Sequence, residues 1–274
     1  MAEQLELKLW GVRGSTPTPE KENVGVGGNT SCLEVIYGDE PPIIFDGGSG
    51  IRMLAVEGLR AGRSFNGSRI FFTHFHWDHI QGLPFMPPIF DPNCELSFYS
   101  RVPSEELAQT LEGQTAQPYF PVGWPEVESK RHYREISEEG MSIGGLKITP
   151  FPLNHPGGAH GYRIETDKVK LVYASDHEHG VESCDRSLQE NGKDADLLIY
   201  DAQYTVEEYK SRVGWGHGTW NEAVRFAGAN NVKKLLLFHH DPLHSDDFLR
   251  ELEAQAQAEF PNTALAKEGD SYSF

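Results

Sequence analysis

The chain has only three cysteines, Cys32, Cys94 and Cys184, and none stands in a Cys-x-x-Cys pair. An odd count at wide spacing excludes a disulfide framework and points to small buried thiols in a reducing compartment. Long hydrophobic runs are also missing. No stretch approaches a membrane span, and the amino-terminal Met-Ala-Glu-Gln-Leu-Glu lacks the basic and apolar regions of a secretory leader. The expectation is a cytoplasmic protein with no membrane partner. Positive charge is scarce: Lys and Arg number 24 against 41 Asp and Glu, a net charge of −17. The densest basic stretch, Lys130-Arg131-His132-Tyr133-Arg134, is flanked by glutamates. Such a surface repels phosphate backbones, so a long nucleic acid is not an expected partner. A small anion stays open, because a bound metal inverts the local field.

What is present describes an ordinary globular chain. Of its 274 residues 38% are hydrophobic and 11% aromatic, enough for a sizeable core and too many for disorder. The 28 glycines and 17 prolines imply many turns. Leu5-Glu6-Leu7-Lys8-Leu9-Trp10 alternates with period two, as a half-buried strand does. Further strand runs are 33–37, 43–46, 69–74, 95–99, 146–151, 162–166, 169–175, 196–201 and 234–239. Helices are predicted from a Ser49 cap through residue 61 and from a Ser104 cap to about Gly113. Two more follow the capping-box pair Thr219/Glu222 and the acidic start Ser245-Asp246-Asp247. Strands with helices in each half predict an α/β protein, its sheets covered by helices. Residues 1–274 read as one domain. Residues 84–140, rich in proline and aromatics and without a clear period, read as an insertion that roofs the site.

Four candidate ligands lie within six residues in His74-Phe75-His76-Trp77-Asp78-His79, directly after the apolar run Arg69–Thr73. Ligands at the end of a buried strand stand where active sites of mixed sheets gather. Alternate residues of extended chain point one way, so His74 and His76 can grip one metal while Asp78 and His79 turn toward a second. Imidazole suits Zn²⁺, and the carboxylates admit Mn²⁺ or Fe²⁺. His155, Asp176 and His239 follow strand runs of their own. One histidine after a strand is usually a plain polar residue; several, beside a dense motif, are not easily read that way.

The order His-x-His-x-Asp-His, then His, Asp and His, resembles the metallo-β-lactamase superfamily, as do Gly27-Gly28-Asn29-Thr30-Ser31-Cys32 and Ile44-Phe45-Asp46-Gly47-Gly48-Ser49-Gly50. The resemblance runs from about Leu7 to His244. It implies a four-layer αββα sandwich of two mixed sheets flanked by helices, and two divalent metal ions. His74, His76 and His155 would hold one metal, Asp78, His79 and His239 the other, and Asp176 would bridge them. Asp46 would orient a ligand through a hydrogen bond; by sequence alone it is equally a turn carboxylate. Which of His239 and His240 binds metal rests on the alignment, and His177 and His179 read as solvated loop residues.

The segments Tyr200-Asp201-Ala202-Gln203-Tyr204-Thr205, Gly216-His217-Gly218-Thr219 and Phe238-His239-His240-Asp241 look like the superfamily's phosphodiesterase branch. That branch includes transfer-RNA 3′-processing endonucleases, cyclic-nucleotide phosphodiesterases and phosphoribosyl cyclic phosphate phosphodiesterases. Its acidic residue maps onto Asp201 and its non-ligand histidine onto His217. Two metals would activate a bridging water to hydroxide and neutralise phosphate oxygens. His217, paired with Asp201, would protonate the leaving alkoxide, and Asp78 would serve the chemistry as a ligand. Only 20 residues separate His155 from Asp176, too few for the arm with which the endonucleases grip transfer RNA. That shortness and the net charge favour a small cyclic-nucleotide diester as substrate. RNA 3′ processing, a lactonase or thioesterase, and a non-catalytic metal-binding module are the alternatives. Phe85, Phe90, Tyr119, Phe120 and Trp124 could stack on a base but read better as the insertion's own core; Trp77 and Trp215 are better placed as pocket walls. Related phosphodiesterases are often dimers, so a homodimer is in keeping with the resemblance.

Overall fold

Leu5, Leu7 and Leu9 are buried while the charged residues between them are half-exposed, and this alternation is β1 (Leu5–Gly11). In the computed structural model, which describes residues 4–274, contacts group the chain into two units. One runs to Gly11 and includes Asn29–Ile136 and Gly269–Phe274; the other comprises Val12–Gly28 and Ser137–Glu268. Each unit is built on one seven-stranded mixed sheet with its own helices, an α/β architecture with the two mixed sheets that the resemblance implies.

In the first unit β1 is followed by β2 (Cys32–Tyr37), β3 (Ile43–Phe45), β4 (Ser68–Phe71), β5 (Glu95–Ser100) and β6 (Lys130–Glu135). β1 to β3 pair antiparallel, and β3 to β6 pair parallel. Helix α1 (Gly50–Arg60) buries Ile51, Leu54 and Ala55, the spacing of one helical face, into a core with Ile44, Ile70 and Phe98. The predicted Ser49 cap is absent: its hydroxyl accepts from the Thr30 N–H at 2.9 Å and donates to Asn29 Oδ1 at 3.0 Å. A one-turn helix, α2 (Trp77–Ile80), follows β4, and α3 (Ser104–Gly113) packs on β5 and β6. Ser104 is the first residue of α3, and its hydroxyl accepts from the Glu135 N–H. Residues 84–140 therefore supply two strands and a helix to this sheet. Sequence periodicity misses β6 because its only large apolar residue among charges is Tyr133.

The second unit contains β7 (Met141–Ile143), β8 (Leu146–Leu153), β9 (Ala159–Glu165), β10 (Lys170–Ala174), β11 (Leu197–Asp201), β12 (Leu235–Phe238) and β13 (Thr263–Leu265). β7 to β10 pair antiparallel and β10 to β13 parallel. Leu197–Asp201 and Leu235–Phe238 are buried at every residue, as parallel strands covered on both faces are. Helices α4 (Glu182–Gly192), α5 (Val206–Tyr209), α6 (Trp220–Ala229) and α7 (Asp246–Glu259) complete it. Thr219 and Ser245 cap α6 and α7 through the Glu222 and Phe248 N–H groups. The reciprocal capping box expected at Thr219 forms at Thr205/Glu208 instead. The chain ends in β14 (Ser271–Ser273), antiparallel to β1 at the edge of the first sheet. Both sheets thus run through three antiparallel pairings and then three parallel ones.

Arg13 fixes the second unit's outlying segment 12–28. Its fully buried guanidinium donates to the carbonyls of Gly27 (2.8 Å), His244 (2.7 Å), Asp241 (3.1 Å) and Asn23 (3.2 Å), and Asp246 lies 3.7 Å away. Burial pulls this guanidinium below its usual pKa while Asp246 and its acidic neighbours pull it back. Arg13→Leu strips a buried carboxylate and several carbonyls of their donor. It is expected to lower unfolding stability by about 3–5 kcal/mol, read as a reduced urea midpoint at unchanged m-value. Arg13→Lys, lacking the planar fork, should recover only part of that loss.

Candidate metal centre

In the first unit the motif begins three residues beyond β4 and ends inside α2. The His74 and His76 rings stand edge to face with centroids 4.6 Å apart, and the His74 and His79 rings are 4.2 Å apart. Asp78 Oδ2 is 3.5 Å from His79 Nε2. His76 is exposed, while His74, Asp78 and His79 are buried. Asp46, immediately after β3, has its Oδ2 2.8 Å from His79 Nδ1, and its Oδ1 accepts from the Thr73 N–H at 2.9 Å. The Thr73 hydroxyl also contacts Asp46 and lies 3.0 Å from His74 Nδ1. With both Nδ1 atoms so engaged, Nε2 is the nitrogen through which either ring could hold a cation. Of the two readings open for Asp46, the ligand-orienting contact is the one the geometry carries.

The second unit gathers a set of its own. Ligand atoms of Asp176, Asp201, His217 and His239 lie within 4.8 Å of one another, all on buried residues. His155 Nε2 is 3.7 Å from Asp176 Oδ2, and His239 Nε2 is 3.4 Å from Asp176 Oδ1. His155 Nδ1 donates to the Gly216 carbonyl at 2.8 Å, and His239 Nδ1 donates to Gln203 Oε1 at 2.8 Å. Both tautomers are thereby set, with Nε2 as the lone-pair nitrogen.

Asp201 ends β11 fully buried. Its Oδ2 accepts from His217 Nδ1 (2.9 Å) and the Asp176 N–H (3.0 Å), and its Oδ1 from the N–H groups of Gly218 (3.0 Å) and Gln203 (3.1 Å). The His217 ring stacks on that of His239 at 4.9 Å. Asp46, Asp176 and His239 each have a positive φ, at 61°, 58° and 61°. Three left-handed residues at strand ends are a costly backbone choice that clusters where geometry matters for function.

Sequence reasoning missed several supports. Glu178 accepts from the N–H groups of Gly214 and Gly216 and from the Tyr209 hydroxyl, each at 2.7 Å. Burial raises its pKa, but those three donors prevail and hold it below the usual carboxylate range. Burial and the Glu178 carboxylate push Tyr209 up to about 12, so the phenol remains the donor. Glu178 thus fixes the loop that carries His217 and orients His155. Gly216 has φ +88°, and a Cβ there would stand 2.2 Å from His155 Nδ1; one on Gly14 would stand 2.4 Å from His239 Nδ1. The signal for Gln203 was its place within the quoted segment 200–205, two residues beyond Asp201.

Three further histidines are resolved by their contacts. His240 Nε2 donates to the Ala266 carbonyl at 3.0 Å, and burial, with Arg13 adding, drives its pKa down to about 3. It is a neutral core residue, whereas His239 Nε2 faces Asp176 Oδ1 at 3.4 Å. His177 and His179 are not solvated loop residues. The former accepts the Asn154 N–H at Nδ1 and approaches Asp185 at 3.1 Å, and the latter pairs with the Tyr200 hydroxyl at 2.6 Å. Burial, then His179, pushes His177 down to about 4. Trp124 is core at 2% exposure, whereas Trp77 and Trp215 are exposed. Among the described residues no helix is long and apolar enough to cross a membrane.

A family model described as the beta-lactamase superfamily domain matches residues 43–240. Among curated proteins, Ribonuclease Z of Archaeoglobus fulgidus is 25% identical over 321 residues, covering 96% of this chain and 96% of that protein. Ribonuclease Z of Natronomonas pharaonis is 26% identical over 317 residues, covering 97% of each. Among solved structures, the metallo-beta-lactamase fold protein YhfI from Bacillus subtilis matches with a TM-score of 0.75 at 20% identity, over 99% of this chain and 100% of that one. A diphosphatase of the PhnP family matches at 0.71 and 20% identity, over 100% and 98%. The short form of human tRNase Z matches at 0.65 and 18%, over 97% and 98%. The matched span takes in β3 to β12 and the candidate site residues from Asp46 to His239, and the chain belongs to the beta-lactamase superfamily.

Proposed function

We propose that the chain is a metal-dependent phosphodiester hydrolase and that its substrate is an RNA, cleaved as a 3′-processing endonuclease cleaves it. The donor set fits divalent cations: imidazole nitrogens with fixed tautomers beside carboxylates, the mixture that suits Zn²⁺ and admits Mn²⁺ or Fe²⁺. His74, His76 and His155 would hold one ion, Asp78, His79 and His239 the other, with Asp176 shared. When bound, such a pair supplies Lewis acidity to phosphate oxygens and makes water a nucleophile near neutral pH.

The chain's own contribution is positional and protonic. Asp201 fixes the Nδ1 proton of His217 and stabilises the imidazolium, which delivers the Nε2 proton to the departing oxygen. This pair, 2.9 Å apart against Asp176 and His239, is the observation that carries phosphodiester cleavage over a lactonase or thioesterase. The support for RNA is the near-complete match to proteins named Ribonuclease Z. It displaces the cyclic nucleotide expected from sequence, because a net charge of −17 describes the whole surface and not the potential along one track.

The small phosphodiester is kept as a second reading on one observation. The match to the Archaeoglobus protein extends over 321 positions against 274 residues here, so that relative carries segments without a counterpart in this chain.

Precursor transfer RNA with a 3′ trailer is expected to be cut with Zn²⁺ or Mn²⁺ present and to survive in chelator. Turnover of 2′,3′- or 3′,5′-cyclic AMP with intact precursor would select the second reading. His217→Ala should lower kcat roughly 10²–10⁴-fold with metal content unchanged by elemental analysis. An unaltered rate would end the proton-donor role. Glu178→Gln offers one acceptor oxygen where two are used. It should cost about 10–100-fold in kcat with a smaller change in KM, and a circular-dichroism spectrum like wild type would separate misplacement from unfolding.

A further inference from the structure

A cavity of about 590 Å³ opens in the first unit, in the size range of small-molecule sites. Aromatic rings dominate its walls: Phe75, Trp77, Phe85, Tyr119 and Phe120. The side chains of Trp77, Phe85 and Tyr119 are exposed at 74%, 57% and 79%, so these rings are presented to solvent and not consumed by the core. Phe85 and Phe120 meet edge to face at 5.7 Å. Among the described residues no charged side chain lines the cavity, although the chain carries a net charge of −17. Its polar groups include the amides of Gln81 and Gln114, and the Gln114 amide is fixed by donating to the Ile80 carbonyl at 2.7 Å.

Its position is as telling as its lining. Phe75 and Trp77 bracket His76, Trp77 directly precedes Asp78, and Ile80 and Gln81 directly follow His79. The cavity wall and the candidate ligand motif are therefore one stretch of chain. Wall residues and candidate ligands thus alternate along 75–81, which sets the cavity beside His76 and Asp78 in the chain.

We infer that the cavity is a nucleobase subsite, in which the aromatic rings take the flat face of a base attached to the scissile phosphate. The inference rests on the phosphodiesterase reading above and narrows it. The occupant is neutral and aromatic, because an uncharged apolar wall rejects a phosphate and rewards a ring that stacks. A base stacks on such rings whatever its identity, so the subsite accepts different bases, while its amides offer donors and acceptors to a base edge.

The test is equilibrium binding by calorimetry to the Zn²⁺-supplemented protein, with adenosine 5′-monophosphate, ribose 5-phosphate and hexyl phosphate as probes. Adenosine 5′-monophosphate is expected to bind roughly tenfold more tightly than ribose 5-phosphate. Tyr119→Ala and Phe85→Ala, both at exposed positions, should each shrink that gap severalfold and leave ribose 5-phosphate affinity unchanged. Equal affinities in the wild-type protein, or a gap that both variants preserve, overturns the subsite. Hexyl phosphate binding as tightly as the nucleotide overturns it in favour of a hydrocarbon chain. Wild-type turnover of bis(p-nitrophenyl) phosphate is followed in parallel: turnover without a base-dependent gap sinks the subsite alone, and a gap without turnover sinks the hydrolase reading.

Discussion

One buried carboxylate organises the second half of the candidate centre. Asp201 receives four hydrogen bonds, from the N–H groups of Asp176, Gln203 and Gly218 and from His217 Nδ1. Those donors belong to three stretches of chain: the turn after β10, the exit of β11 and the loop before α6. A carboxylate buried without partners would cost several kcal/mol. These loops satisfy that demand only in the arrangement that also aims Asp176 and His217. Gln203, placed by the same anchor, in turn holds His239 at 2.8 Å. Folding and site assembly are thus one constraint here: the loops that satisfy Asp201 are the loops that carry the candidate site residues.

The first unit meets the same problem on a smaller scale. Asp46 and Thr73 occupy adjacent parallel strand ends and between them engage the Nδ1 atoms of His74 and His79. Each sheet turns from antiparallel to parallel pairing at its fourth strand, and an aspartate with positive φ follows that strand in both: Asp46 after β3, Asp176 after β10. Parallel strands deliver their carboxyl ends side by side, which is how residues distant in sequence become neighbours.

Much of this was legible in the sequence, and the limits have physical causes. Strands with an unbroken apolar run, such as β11 and β12, declared themselves, as did the dense ligand motif after β4. The edge strands β6 and β14 did not, since exposed strands need no apolar pattern. Helix α4 was hidden by a sequence with little beyond Leu188 and Gly192 to bury. Ser49 looked like a helix cap, but a tertiary partner, Thr30, claimed its hydroxyl. A supporting residue such as Glu178 carries no motif because its meaning lies in contacts closed by folding. The adjacent histidines 239 and 240 could be separated only by seeing which ring faces a carbonyl and which an aspartate.

The left-handed corners at Asp46, Asp176 and His239 have a consequence for how such a centre arises. That backbone conformation is closed to β-branched residues and open mainly to glycine, asparagine, aspartate and histidine. Two of these four are also strong cation ligands at neutral pH. A chain that bends sharply at the end of a parallel strand therefore draws from a short list of side chains already biased toward metal binding. The strand-end corner filters the amino-acid alphabet before selection for catalysis begins, so a fold rich in such corners is predisposed to become a metalloenzyme.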